Sequence, residues 1–349
     1  MNRMGVHNVS NRSYTSRIIV GVLLVLMVVL SACSPTATPS STAAPTATAA
    51  AETSEIADAS EVADASGSAA IAVYAPPTPS SVPILLAAES MKNAEVTIFT
   101  DHAQAHTLFL RGDVDILVTG LSVGVEFVRQ EVPVQIVNSY VSGLTYLVAR
   151  GPTVTSVADL EGREVMLPFE GSPIEEVTRY FVETAGLTWG VDVVPVYTPF
   201  PAAVEMLRTG EAEIAALPEP FVSQVAGSPE VEVALSYEEA WNARTGSTTG
   251  YPQVGVFVRR EWASAHAEEI AQFNDALADA IATVREDPEA ALATAESAMG
   301  FPPEILRSAL ARTSFTSRTG SLLEENVRSY YETIGEPLDG AYDRFFADH

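Results

Sequence analysis

The sequence offers few cysteines or histidines to act as nucleophiles or zinc ligands. Cys33 is the only cysteine, and a secreted chain without a cysteine pair has no internal disulfide. His102 and His106 stand four residues apart, on one face of a helix, which is half of a zinc site. Ala103 stands where the zinc-protease signature needs glutamate, and His266 and His349 are the only other histidines after Cys33. The pair therefore reads first as a partly exposed helix start, with His102 near enough to a strand end to reach a cleft. There is no G-x-S-x-G elbow, phosphate-binding loop or dinucleotide fingerprint. What the chain does carry are groups suited to recognition. Pro76-Pro-Thr-Pro-Ser-Ser81 offers Thr78, Ser80 and Ser81, of which the serines could equally cap the following helix. Thr119-Gly120-Leu121-Ser122 combines hydroxyls with a glycine that permits close approach. In Phe169-Glu-Gly-Ser-Pro173, Gly171 opens space, while Ser172 and Pro173 suit an N-cap and a first helical position. Leu217-Pro-Glu-Pro-Phe221 holds Glu219, either a ligand acceptor or a carboxylate stabilised at a helix start. Tyr251 and Gln253 add a ring for stacking and an amide, and none of these segments contains lysine or arginine.

The elements that must position these groups alternate. Strand patterns run over Ala70–Tyr74, Val96–Thr100, Asp115–Val118, Val134–Ser139 and Thr145–Ala149. A second set covers Glu164–Leu167, Val191–Tyr197, Glu213–Leu217 and Val231–Leu235, with another strand at Tyr251–Val258. Helix patterns lie between them, such as Val82–Met91, Ala103–Arg111 and Ile174–Ala185. Short apolar strands separated by helices imply an α/β fold with a mostly parallel sheet covered on both faces. From Glu261 onward the pattern is helical throughout: Glu261–Glu286, Pro288–Met299, Pro303–Ala311 and Leu322–Ile334. Residues 108–118 and 207–217 share one plan: a helix end, a glycine stop at Gly112 or Gly210, acidic residues, then a strand. Two copies about a hundred residues apart fit two similar lobes, although the same pattern is ordinary helix–turn–strand punctuation. The hydroxyl, glycine and carboxylate clusters follow strand ends, where ligands bind in open α/β sheets.

The first residues are of another kind. Arg3, Arg12 and Arg17 precede an apolar run from Ile18 to Leu30, and Leu30-Ser31-Ala32-Cys33 follows directly. A basic start, a short apolar core and small residues before a cut site describe a secretion signal. The run is too short for a spanning helix, which needs ~20 apolar residues. The motif resembles the lipobox of bacterial lipoproteins, which implies cleavage after residue 32 and a diacylglycerol on Cys33. The expected state is a lipid-anchored protein on the outer face of the cell membrane. Residues 33–68 are rich in Ala, Thr, Pro and Ser with acidic residues from Glu52, the composition of a disordered tether. All 45 acidic residues follow Cys33, whereas three of the 19 basic ones precede it. So acidic a mature chain argues against nucleic acid and against a polybasic membrane patch. With 47% hydrophobic residues, it can stabilise two lobes by apolar burial alone.

Gly112-Asp-Val-Asp-Ile, Ser156-Val-Ala-Asp-Leu-Glu-Gly-Arg-Glu-Val165 and Gly210-Glu-Ala-Glu-Ile-Ala-Ala-Leu-Pro-Glu-Pro220 resemble substrate-binding proteins of ABC importers. The closer likeness is to the branch that takes up nitrate, sulfonates, taurine and thiamine-related pyrimidines. The resemblance implies the type II periplasmic-binding-protein fold: two α/β lobes, two hinge strands, and a solute in the cleft between them. Lobe 1 would be 69–149 plus 253–349 and lobe 2 150–252, with crossings at Leu147–Gly151 and Tyr251–Gly255. It implies a monomer without catalysis or cofactor that closes on a small-molecule solute and docks on a permease and ATPase complex. The contact residues it implies are Thr78, Ser80, Ser81, Thr119, Gly120, Ser122, Phe169, Gly171, Ser172, Glu219, Tyr251 and Gln253. A glutamate, hydroxyls and aromatics without a basic residue point to a neutral or cationic heteroaromatic solute, vitamin-like or pyrimidine-like. A sulfonate, taurine or nitrate receptor, an enzyme on the same fold, and a sensor domain stay open as alternatives.

Overall fold

The computed structural model describes residues 70–151 and 153–346. The signal-like run, Cys33 and the Ser34–Ser68 tether lie outside the described residues. From the first described residue, β1 (Ile71–Ala75), α1 (Ser81–Met91), β2 (Ala94–Ile98), α2 (His102–Arg111), β3 (Ile116–Gly120), α3 (Leu121–Arg129) and β4 (Val134–Gly143) alternate. The chain then continues through β5 (Thr145–Arg150), β6 (Arg163–Leu167), α4 (Pro173–Thr184), β7 (Val193–Tyr197), α5 (Phe200–Thr209) and β8 (Ile214–Pro218). After α6 (Phe221–Val225), β9 (Val231–Ser236) and α7 (Tyr237–Thr245), it passes through residues 246–253 into β10 (Val254–Arg259). The remainder is α8 (Arg260–Ala265), α9 (Ala267–Glu286), α10 (Pro288–Met299), α11 (Pro303–Ala311), β11 (Ser314–Arg318) and α12 (Gly320–Thr333).

The strands form two sheets, ordered β11-β4-β10-β3-β1-β2 and β7-β6-β8-β5-β9. Each has a parallel trio, β2-β1-β3 or β7-β6-β8, extended by antiparallel strands. The sheets are therefore mixed rather than mostly parallel, because the strand arriving from the other lobe enters each sheet head to tail. Thr145–Arg150, expected to end lobe 1, pairs with β8 and β9 in the second sheet. The first crossing thus falls at Leu144, not at Leu147–Gly151. Ser314–Arg318, read as part of a helical tail, is an edge strand on β4. The expected helix Glu261–Glu286 is broken at His266, whose φ of −131° interrupts it between α8 and α9.

The shared plan at Gly112 and Gly210 extends beyond the backbone. Both glycines close their helices in the left-handed region, at φ 92° and 81°, where a side chain would be strained. Each helix end is then held by an arginine at the end of the antiparallel strand. Arg259 donates to the carbonyls of Phe109 (3.0 Å) and Val114, and Arg150 to those of Leu207 (2.9 Å) and Arg208 (2.5 Å). The last helical carbonyls have no intrahelical partner, so a guanidinium Nη1 there satisfies what the helix cannot.

One face of the first sheet packs Ile71, Val73, Ile116 and Val118 with apolar residues of α1, α9 and α10. Its other face belongs to a cluster that runs into the second sheet through α3, α4, α7 and α12. A third cluster fills the far face of the second sheet, against α5 and α6. Burial of these side chains, each contributing about 1.5–3 kcal/mol, stabilises a fold without disulfides.

Candidate functional site

The strand ends of the two sheets face one another around the crossings. After β1, the proline-rich loop folds on itself: the Thr78 amide donates to Pro76 O (2.8 Å) and the Ser81 hydroxyl to the same carbonyl (2.5 Å). Ser80 is fully buried, with its oxygen 2.6 Å from that of Thr78, and its carbonyl accepts from the Tyr140 hydroxyl (2.8 Å). Ser80 precedes α1 without capping it by a side-chain bond, so the capping role expected of this pair is not what the hydroxyls do. Thr78 is half-buried, like Pro77, while the rest of this loop is buried.

Near the end of β3, Thr119 is buried in register with Gly255 of β10. Gly120 and Ser122 meet the opposite lobe. A Cβ on Gly120 would lie 2.7 Å from Pro173 Cγ, which explains why only glycine fits, and the Ser122 hydroxyl donates to Gly171 O across the gap (3.1 Å). On the far side, Ser172 caps α4 by accepting from the Glu175 amide (3.1 Å). Glu175 returns its carboxylate to the Gly171 amide (2.5 Å) and accepts from the Tyr197 hydroxyl (2.8 Å). The Gly171 amide is therefore engaged by the chain's own carboxylate. Phe169 stands 46% exposed at the edge of the site.

Glu219 has no exposed surface. Its carboxylate accepts from the Ser223 amide (3.0 Å) and from Arg312 Nη1 (3.5 Å), and Arg312 also donates to the Ser223 hydroxyl (3.0 Å). Burial pushes this carboxyl upward in pKa, opposed by Ser223 and Arg312. Arg312 caps the C-terminal end of α11, 93 residues away in sequence. No strand-end motif announces it, and it corrects the expectation of a site without a basic group. Aromatic rings extend this side: Phe221 stacks on Phe200 (5.0 Å between centroids) and meets the edge of Phe301 (6.3 Å).

Gln253 ties the two crossings together. It accepts from the Thr145 hydroxyl (3.0 Å) and donates to Ser142 O (3.1 Å), so both ends of its amide are engaged within the protein. Tyr251 is buried in a ring cluster, stacked on Tyr330 at 12° and 5.7 Å beside Trp241, and its hydroxyl is hydrogen-bonded to Thr145 at the first crossing.

A further contact between the lobes involves charge. Glu336, just after α12, accepts from Arg129 of α3 (3.0 Å) and Arg179 of α4 (2.5 Å). Beside them Glu176 of α4 is buried, with one carboxylate oxygen lacking any hydrogen-bond partner. Desolvation first, and then Glu336, push its pKa up to about 8, against the pull of Arg129 and Arg179. His102 and His106 lie in an aromatic group with Phe99 and Phe127. Burial, with His102 adding, lowers His106 to about 4, and among the described residues no group of three potential metal ligands occurs.

A family model described as the NMT1-like family matches residues 86–299, more than half of the chain. The chain belongs to the NMT1-like family. No curated protein matches the sequence. Among solved structures, the periplasmic aliphatic sulphonate binding protein SsuA of Escherichia coli is 18% identical, with 80% of this chain and 92% of that one covered and a TM-score of 0.65. The alkanesulfonate-binding SsuA of Xanthomonas axonopodis pv. citri, bound to MOPS, is 16% identical over 78% of this chain and 95% of its own, with a TM-score of 0.62. The periplasmic nitrate-binding protein NrtA of Synechocystis PCC 6803 is 13% identical over 73% and 74%, with a TM-score of 0.57. The fold of this family member is therefore the periplasmic-binding one, two α/β lobes joined at two crossings.

Proposed function

We propose that this protein is the extracytoplasmic solute-binding component of an ABC importer, held to the membrane by lipid on Cys33. The observation that carries the reading is the pair of cross-lobe contacts at the strand ends, Ser122 to Gly171 and Arg312 to Glu219. A solute seated between these loops would bridge the lobes and favour closure by its differential affinity for the closed state. The closed form then docks on a permease and ATPase complex and releases the solute. Thr78, Ser80, Ser81, Thr119, Gly120, Ser122, Phe169, Gly171, Ser172, Glu219 and Gln253 are the proposed contacts, joined by Arg312.

The solute we favour is a compact, pyrimidine-like heteroaromatic. Phe169 and the Phe200–Phe221 pair supply flat apolar surface, and Glu219 supplies an acceptor for ring or amino N–H donors. A sulfonate or nitrate is the second reading, because Arg312 brings a guanidinium to the Glu219 loop and binding of such anions is what SsuA and NrtA are named for. Calorimetric titration with an aminopyrimidine, taurine, an alkanesulfonate and nitrate separates the two. Binding of the pyrimidine alone supports the first. Anion binding abolished by Arg312→Gln supports the second, and binding of none of them removes both.

A further inference from the structure

The loops that follow β6, β7 and β8 stand where an open α/β sheet offers a ligand the amides of its helix starts. In this chain those donors are already engaged. At α4 the Gly171 amide donates to Glu175 Oε2 (2.5 Å) and the Ser172 amide to Phe169 O (3.3 Å). The Glu175 amide donates to Ser172 Oγ (3.1 Å) and the Glu176 amide to Ser172 O (3.0 Å), while Pro173 has no amide hydrogen. At the start of α5, Pro199 and Pro201 have none either, and the Thr198 amide donates to Leu167 O (2.7 Å). After β8 the Glu219 amide donates to Leu144 O (2.8 Å) and the Ser223 amide to the Glu219 carboxylate (3.0 Å).

Glu175 is the centre of this arrangement. It is 5% exposed, and both carboxylate oxygens are taken, Oε2 by the Gly171 amide and Oε1 by the Tyr197 hydroxyl (2.8 Å). Burial first, and then Glu175, push the Tyr197 pKa up to about 12, so that hydroxyl keeps its proton and donates. These two partners reach the surface: Gly171 is exposed and Tyr197 is 42% exposed. The carboxylate therefore lies one layer down, where an oxygen of a sulfonate or nitrate would otherwise meet the start of α4. A carboxylate in this position also stabilises a helix start, but here it adds its charge to that of Glu170, which acts on the same Tyr197. The Arg312 guanidinium does not offset it, because its Nη1 is shared between Glu219 (3.5 Å) and the Ser223 hydroxyl (3.0 Å). A second anion on these loops would face like charge at a partly buried position, where screening is weak.

We infer that Glu175 sets the charge selectivity of the cleft: its carboxylate is a built-in anion that fills the seat at α4, rejects sulfonate and nitrate, and leaves the cleft to neutral or cationic solutes. The assignment rests on the solute-binding reading above and narrows the solute by charge.

The test is titration of wild type, Glu175→Ala and Glu175→Gln with sodium methanesulfonate and sodium nitrate, read by calorimetry and by the Gly171 amide signal in nitrogen-15 NMR. Wild type should bind neither anion saturably in the millimolar range. Glu175→Ala frees the Gly171 amide and removes the charge. Its methanesulfonate affinity should therefore exceed the wild-type limit about tenfold or more, as expected for one hydrogen bond to a charged group, with a saturable shift of the Gly171 signal. Glu175→Gln keeps an acceptor for Gly171 and removes only the charge; its gain should be smaller, and it carries the test if the alanine variant does not fold. Three results each overturn the assignment: wild type binding either anion as tightly as the variants, folded variants that lose stability without gaining anion affinity, or a gain in Glu175→Ala without a Gly171 shift. None of these readouts needs the natural solute. Failure of an aminopyrimidine to bind would remove the pyrimidine reading and leave the anion comparison standing.

Discussion

Replacing Glu176 with glutamine should remove a pH dependence of stability that the wild-type protein carries. Glu176 is 7% exposed, has a carboxylate oxygen without a partner, and lies beside Glu336, which already engages Arg129 and Arg179. Its pKa rises from 4.5 to about 8, chiefly by desolvation. A group whose folded pKa is raised holds its proton more tightly in the native state. Its contribution is therefore fully present below the unfolded value of 4.5 and is lost as pH climbs through about 8. At ~1.36 kcal/mol per pKa unit the whole change is roughly 5 kcal/mol. Glutamine is neutral at every pH and keeps the side chain's size, so the variant should lack this slope. Urea unfolding of both proteins at about pH 5, 6.5 and 8 reads the difference directly. The variant should be close to wild type at the lowest pH and several kcal/mol more stable at the highest. A difference that stays constant across the range, or grows in favour of wild type as pH rises, would refute the assignment of Glu176 as a buried neutral acid.

Other perturbations probe other parts of the account. Gly120→Val places methyl groups where Pro173 Cγ already lies 2.7 Å from a Cβ position; the lobes should separate and the radius of gyration measured by X-ray scattering should increase. Gly112→Ala and Gly210→Ala each force a Cβ into the left-handed region at φ 92° and 81°, which should cost about 1–2 kcal/mol in denaturant unfolding. Arg312→Leu leaves buried Glu219 with Ser223 alone, through its amide and its hydroxyl, as partner, so the carboxyl should titrate at higher pH by carbon-13 NMR than in wild type. Cys33→Ser should shift the protein from the membrane to the soluble fraction on fractionation, and unchanged membrane attachment would count against the lipid anchor.

Much of the architecture was legible because each local signal had a single physical reading. Gly112 and Gly210 follow helical patterns and precede acidic residues and an apolar run, and both became left-handed caps. The Ser172-Pro173 step was readable as a helix start for the same reason. Failures came where long-range pairing decides. From Val134 to Ala149 the sequence is nearly continuous strand pattern, and only the ladders show that the sheet changes at Leu144. Strand β11 contains one apolar residue, Phe315, and pairs on one side with β4, so it carries no alternation to detect. The candidate site was read from its position at strand ends, yet hydroxyl types do not reveal where their protons go. Ser81 and Thr145 donate within the protein, and Arg312 arrives from the end of α11 with no motif to announce it.

The central claim, that two lobes close on a small solute without altering it, is tested most directly by native mass spectrometry of the protein after exposure to a metabolite extract. The account predicts one unmodified small molecule retained in the strand-end cleft per chain, and its loss from Gly120→Trp, whose side chain would occupy the seam beside Pro173. Retention of no solute, recovery of a chemically converted one, or equal retention by Gly120→Trp would contradict it.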